Sequence, residues 1–296
     1  MKRLLMTGTS GFVGKNFVDL LYREYDIYNL GRQDVKGTHH VPVDSYKRLN
    51  LDDIIKKISP DIVLHLGWSG VLGSERNSVE QIKNLDFAHS LISACIDNEV
   101  GHFIGMGSQA EYGLKQGKIS IRETCNPTTL YGICKLATYQ MLNTMTLGTP
   151  TKFSWVRLFS GYGPGENEHW LIPSLMRAMV EGKSLKVTKG EQLWDFVHSY
   201  DIACALRSIC ERGGEGVFNL GSGCTIRLKD LFESIQKESS NGGVFDIGAV
   251  PYRPDQVMHL EADISELKKI GWAPSKDLKA ELIKTIKVRT NSNEAL

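Results

Sequence analysis

The stretch Arg3-Leu4-Leu5-Met6-Thr7-Gly8-Thr9-Ser10-Gly11-Phe12-Val13-Gly14 decides the fold. Arg3 to Thr7 is a short apolar run and reads as a strand. The glycines that follow are spaced G-x-x-G-x-x-G, and Phe12 to Glu24 reads as a helix. A strand, a glycine turn and a helix N-terminus in that order form a cradle for a pyrophosphate. Backbone amides approach the anion, and the helix dipole favours its charge. Gly14 lets the helix pack closely on the strand. Gly8, Ser10, Gly11, Phe12, Val13 and Gly14 are therefore candidate cofactor contacts. The glycine spacing alone also suits an ordinary strand–helix turn; its place behind the first strand gives it weight.

Working outward, strands are expected at Asp26–Gly31, His40–Val43, Asp61–Leu66, His102–Gly107 and Phe153–Phe159. Helices are expected between them at Tyr46–Ile58, Ser78–Asn98 and Thr128–Leu147. This alternation implies an α/β fold, a Rossmann-type doubly wound parallel sheet with right-handed crossovers. Past Gly165 the pattern loosens. Helices are expected at Leu171–Glu181, Tyr200–Cys210, Lys229–Ser239 and Ser265–Ile270, and strands at Lys183–Val187, Trp194–Val197 and Val217–Leu220. The expected division is a dinucleotide-binding domain of residues 1–165 and 193–222. A smaller, interleaved C-terminal α/β lobe of residues 166–192 and 223–296 would bind substrate.

The second strand ends Asn29-Leu30-Gly31-Arg32. An acidic residue there would take the ribose hydroxyls of NAD; a guanidinium suits a 2′-phosphate instead. Arg32 thus favours NADPH/NADP over NAD, against the plain reading of a surface arginine. Asp44, after the third strand, is a candidate acceptor for the adenine amino group.

The composition excludes several classes. The 35 Lys and Arg against 34 Asp and Glu leave a net charge of +1, which argues against nucleic acid and membrane surfaces as partners. No apolar run reaches the length of a transmembrane helix, and the N-terminal apolar stretch is too short for a signal sequence. The six cysteines show no C-x-x-C spacing. Neither a metal site nor a redox pair is expected, and the thiols should be reduced and buried. A cytoplasmic protein is the expectation.

Tyr131-Gly132-Ile133-Cys134-Lys135 places a phenol and an ammonium one helical turn apart, on one face. A cation near a tyrosine stabilises its phenolate and equips it to exchange a proton with a carbonyl or alcohol. Ser108 ends the fifth strand, where parallel sheets place their ligands, and its hydroxyl suits a reacting oxygen.

The glycine loop, Ser108, Tyr131-x-x-x-Lys135 and Arg157-x-Phe159-x-Gly161-Tyr162-Gly163-Pro164-Gly165 occur in order. They are followed by Asp195-Phe196-Val197-His198-x-x-Asp201, Asn219-Leu220-Gly221-Ser222-Gly223 and Gly271-Trp272-x-Pro274. The combined set resembles the extended short-chain dehydrogenase/reductases, specifically the NAD(P)-dependent sugar-nucleotide epimerase/dehydratase family. The resemblance covers nearly the whole chain. It implies that Ser108, Tyr131 and Lys135 are catalytic, with Lys135 also holding the nicotinamide ribose. Arg253 matches the arginine that grips the nucleotide diphosphate, and Asn84 an asparagine near the active site. Trp68 and Ser69 open the family's substrate-facing loop. The family also implies a homodimer built on the helices starting near Ser78 and Thr128. Asp195 and His198 are expected to position loops, and Gly271-Trp272 to pack the C-terminal lobe.

Departures narrow the chemistry. Gln109 and Ala110 stand where the family's dehydratases carry an Asp-Glu pair, and Ala110 where its epimerase-reductases carry a cysteine. Dehydration and inversion beside the ketone are therefore disfavoured. Ser160 replaces an asparagine and Trp194 an arginine; Trp194 would stack on a base or sugar, or fill the lobe interface. Gln109, Ser160 and Trp194 are taken as substrate-side positions, as is His169, whose plain reading is a loop histidine. What remains is hydride transfer: reduction of the C4 ketone of a nucleotide-diphosphate 4-keto-6-deoxysugar. The rival is an NAD-dependent 4-epimerase of such sugars. A third reading, a non-catalytic dinucleotide sensor, would be expected to have lost Tyr131 or Lys135.

Overall fold

Residues of the first strand alternate between two cores. Leu4 and Met6 point to one side of the sheet and Leu5 to the other; the same holds for Ile62 and Leu64 against Val63. A strand whose alternate residues are all apolar must be covered on both faces, and that requirement builds the molecule. The computed structural model describes residues 1–43, 51–238 and 242–293, the last five by backbone only. Asp44 lies outside the described residues.

Seven parallel strands form the main sheet, in the order Gly216–Leu220, Lys152–Leu158, His102–Ser108, Ile62–His65, Lys2–Thr7, Tyr25–Gly31, His39–Pro42. The chain winds outward in both directions from Lys2–Thr7 and Ile62–His65. A crevice therefore opens at their carboxyl ends, where such sheets bind ligands. On one face, Phe17, Val18 and Leu21 of helix Phe12–Leu21 pack with Ile202, Leu206 and Ile209 of helix Ser199–Arg212. On the other, helices Leu51–Ile58, Gln81–Asp97 and Leu130–Met145 supply Ile55, Leu91, Ile92 and Leu142. The expected α/β doubly wound sheet is the fold found.

A third core lies beyond the carboxyl ends. Helices Leu171–Glu181, Leu228–Lys237 and Leu278–Asn293 enclose Leu175, Met179, Leu231, Phe232, Phe245 and Ile286. A two-stranded sheet, Ser184–Val187 with Val244–Ile247, closes it. A small four-stranded sheet joins the parts, in the order Ile226–Arg227, Leu193–Trp194, His259–Ala262, Gly117–Ile119. Its last strand comes from the first half of the chain.

Three expectations are corrected. Trp272 packs in the main-sheet core with Ile264 and Leu267, because helix Ser265–Lys269 turns back against strand Gly216–Leu220. The helix expected from Ser78 begins at Gln81, after a separate short 3-10 helix, Gly73–Asn77. Of the cysteines, Cys95, Cys134 and Cys210 are buried, whereas Cys224 is exposed in the turn after Leu220, its amide bonded to the Ser222 hydroxyl. Strands of two to four residues, such as Ile226–Arg227 and His259–Ala262, are too short to show a period, and the closing helix Leu278–Asn293 carries only a weak apolar stripe.

Candidate active site

The glycine loop owes its shape to what glycine lacks. Gly8 has φ +73°, and its carbonyl accepts the Gly11 amide at 3.1 Å. A Cβ on Gly14 would lie 2.2 Å from the Gly8 carbonyl oxygen, inside any tolerable contact. The helix thus starts against the strand end with its amides open to the crevice, a cradle that fits a dinucleotide pyrophosphate. Ser10, Gly11, Phe12 and Val13 line the cavities on either side of it.

Two cavities meet at this loop. The smaller, about 330 Å³, runs along the second strand's end and is lined by Ser10, Gly31, Arg32 and Gln33. Asn29 shapes that end: its Oδ1 accepts from the Thr9 hydroxyl at 2.5 Å and its Nδ2 donates to the Gln33 carbonyl at 2.8 Å. Arg32 is exposed on the resulting bend, facing the cavity. Ser69 and Asn84 lie on this cavity too. The buried Asn84 amide takes the Ser69 amide at 2.8 Å and donates to its carbonyl at 3.1 Å, so Asn84 fixes the loop after the fourth strand.

The larger cleft, about 830 Å³, runs from the glycine loop to the lobe. Ser108, Gln109, Tyr131 and Lys135 lie on its sheet side, with Trp68. Ser160, His169, Trp194 and Arg253 lie toward the lobe. Ser160 and Trp194, the two positions that depart from the family pattern, are each other's partner: the Trp194 indole donates to the Ser160 hydroxyl at 2.7 Å. His169 is exposed beside Glu168, 3.7 Å away.

Tyr131 is delivered to Ser108 by tight packing. The Thr129 hydroxyl accepts the Gly132 amide at 3.2 Å, and the Asn77 side chain accepts the Leu130 amide at 3.0 Å. These caps pin the first turn of helix Leu130–Met145. A Cβ on Gly132 would lie 2.6 Å from the Ala110 carbonyl oxygen, so the helix rides directly on the turn behind Ser108. Burial pushes the Tyr131 phenol up; a hydrogen bond with Ser108 and the charge of Arg76 pull it down, and Glu111 opposes them.

Lys135 is buried on the same helix face. Its Nζ donates to the Met106 carbonyl at 2.5 Å and lies 3.7 Å from the centre of the Trp68 ring. Burial lowers its pKa to about 7, with Glu111 acting against the shift. The Arg76 guanidinium is closer to the Tyr131 ring, at 4.9 Å against 5.9 Å for the Lys135 ammonium.

Beneath Ser108 stands a buried ion pair. Glu111 accepts the Ser108 amide at 2.8 Å, the Trp155 indole at 3.0 Å and the Arg157 Nε at 2.7 Å. Arg157 also donates to the Tyr112 hydroxyl, which in turn donates to Asn219 at 2.7 Å. The family-pattern residues Arg157 and Asn219 thereby hold the end of the fifth strand. Asp195 accepts from the Ser222 amide and hydroxyl and from the Gly223 and Ala262 amides, and His198 caps the helix at Ser199. Asp195 positions the loop after Leu220, as expected, whereas His198 caps a helix.

Sequence reasoning missed Arg76, Gln81, Glu111 and Glu166. Glu111 had a signal, since Ser108-x-x-Glu111 is a capping box, and the structure forms both of its bonds. Glu166 lines the cleft, its pKa raised to about 8 by burial, with only the Gly163 amide opposing. Arg76 lies in a stretch without periodicity, and Gln81, although within the expected helix, has bonds to Trp68, Gly70 and Glu75 that no local pattern encodes.

Residues 4–221 match the NAD dependent epimerase/dehydratase family. The chain is 26% identical to a CDP-abequose synthase of Salmonella muenchen over 291 residues, 92% of each chain. It is 25% identical to a UDP-glucose 4-epimerase of Halalkalibacterium halodurans over 304 residues, covering 92% of this chain and 90% of the relative. Its fold superposes on the UDP-N-acetylglucosamine 4-epimerase from Methanobrevibacter ruminantium M1, solved with UDP-N-acetylmuramic acid, with a TM-score of 0.86, 24% identity and 99% of each chain covered. A match that runs from the first strand, through the glycine loop and the tyrosine helix, to Gly221 leaves one assignment: the chain belongs to the NAD dependent epimerase/dehydratase family.

Proposed function

We propose that this protein reduces the C4 ketone of a nucleotide-activated 4-keto-6-deoxysugar with NADPH, in deoxysugar and surface polysaccharide biosynthesis. One observation carries the reading. The cleft around Tyr131 holds what proton delivery to an oxygen needs, while the two positions after Ser108 are Gln109 and Ala110, neither of which ionises. Elimination of water, or inversion at a carbon beside the ketone, needs a further acid or base there.

A reduced nicotinamide, when bound, supplies the hydride that forms the new C–H bond at the ketone carbon. Tyr131 gives its proton to the ketone oxygen as the carbonyl π bond breaks, and regains one from solvent. Ser108 donates to the same oxygen and fixes its position. Arg253 takes the diphosphate, and Trp68 and Trp194 offer aromatic faces to sugar and base. Arg32, exposed beside the smaller cavity, supports a 2′-phosphate and hence NADPH. The similarity to CDP-abequose synthases supports the deoxysugar pathway. Helices Gln81–Asp97 and Leu130–Met145 pack side by side with Ile82 and Ile133 exposed, which supports a homodimer through that face.

The test is to follow nicotinamide absorbance with a nucleotide 4-keto-6-deoxysugar. Stoichiometric NADPH loss is expected, and Tyr131→Phe should slow it by roughly 10²–10⁴-fold. Reduction at the wild-type rate by Tyr131→Phe would sink the assignment. The similarity to UDP-glucose 4-epimerase favours a second reading, a 4-epimerase with retained NAD. That enzyme would interconvert two sugars with no net change in absorbance.

A further inference from the structure

Arg76 has no place in the sequence-derived site, yet it is held where the chemistry occurs. It lies on the short helix Gly73–Asn77, which is clamped from two directions. Gln81 donates to the Gly70 carbonyl at 2.6 Å and the Glu75 carbonyl at 3.0 Å, and Asn77 accepts the amide that starts the tyrosine helix at 3.0 Å. The same Gln81 accepts the Trp68 indole at 2.8 Å, so a single buried side chain sets both walls around Tyr131. The Arg76 guanidinium is carried to 4.9 Å from the Tyr131 ring centre, and its Nε is buried without a hydrogen-bond partner among the described residues, while the residue lines the cleft. The other charged groups facing Tyr131 are Lys135 on its own helix and Glu111 beneath Ser108. Of the two cations, Lys135 spends its ammonium on the Met106 carbonyl and the Trp68 face.

We propose that Arg76 is a positioning residue of the proton-transfer step: its guanidinium, over the Tyr131 ring, adds to Lys135 a second counter-charge for the tyrosinate left when Tyr131 gives up its proton. The proposal rests on the reading of Tyr131 as proton donor. It adds a residue from outside the Ser108, Tyr131 and Lys135 set. A guanidinium suits the task because it keeps its charge at every working pH and its flat face matches an aromatic ring.

The test needs no substrate. The ultraviolet phenolate signal of Tyr131 is titrated in the full chain with NADP⁺ bound, as the difference between each protein and its Tyr131→Phe counterpart. In Arg76→Gln the midpoint is expected at higher pH, with about tenfold less phenolate at a fixed pH below it. Arg76→Lys should lie near wild type. An unmoved midpoint in folded Arg76→Gln overturns the proposal. If Arg76→Gln does not fold, Arg76→His, neutral in the alkaline range, decides by the same criterion. Because turnover is not read, failure of the reductase reading and failure of this one remain distinct.

Discussion

At the scale of single residues, Lys135 and Arg32 carry the same charge in opposite surroundings. Lys135 is buried with a pKa near 7, so its ammonium is held by a carbonyl and an aromatic face more than by a counter-ion. Arg32, by contrast, is exposed on a bend shaped by Asn29 and lines the smaller cavity. If that cavity takes the 2′-phosphate, Arg32→Ala should cost one or two charge-assisted hydrogen bonds. The ratio of kcat/KM for NADPH over NADH should then fall about ten- to a hundredfold. An unchanged ratio would remove Arg32 from cofactor selection and restore its plain reading as a surface arginine.

At the scale of elements, the site depends on how closely the tyrosine helix rides on the turn Gln109–Tyr112. Backbone meets backbone there, since the atom facing Gly132 is the Ala110 carbonyl oxygen at 2.6 Å from a would-be Cβ. A methyl group cannot be absorbed by a rotating side chain. Gly132→Ala should therefore push the helix away, lowering stability by about 1–3 kcal/mol. It should also reduce turnover by separating Tyr131 from Ser108. Asp19→Ala, at an exposed position of helix Phe12–Leu21 on the opposite face of the sheet, should leave both nearly unchanged. Thermal melting and steady-state rates on the pair check this; a wild-type-like Gly132→Ala would mean the contact is loose. The capping box of Ser108 and Glu111 acts from the other side, fixing the strand end onto which the helix docks.

At the scale of the whole molecule, the cleft lies between the sheet and a lobe that are stitched together by strand Gly117–Ile119. Burying Glu166 in that cleft has a cost that depends on pH. Its carboxyl is raised from 4.5 to about 8 in the folded chain, so between those values the folded state holds a proton that the unfolded state has lost. Stability from this group is present at the acid end and falls as pH rises from about 4.5 to 8. Glu166→Gln removes the titration. The melting temperature of Glu166→Gln minus that of wild type should grow across that window. A difference that is flat with pH would contradict the burial of Glu166.

The parallel sheet, the glycine cradle and the Tyr131–Lys135 face were legible in the sequence, because each rests on short-range regularity. Alternate residues face opposite cores, residues one turn apart share a helix side, and a glycine spacing describes one loop. Glu111 carries the same kind of short-range signal in its spacing from Ser108, one that sequence reasoning missed. The rest of the site was not legible. The contact of Arg76 with Tyr131, the bond of Trp194 to Ser160 and the anchoring of Ser108 through Glu111 to Arg157 join residues on different elements, where no period links them. Trp272 went to the main core for the same reason: the edge strand offered it apolar cover that only the folded chain brings near. The sequence by itself determined the longer strands and helices of the main sheet and the family pattern they carry. Tertiary packing brought a second cation, Arg76, to the tyrosine, because that depends on how closely separate backbones approach.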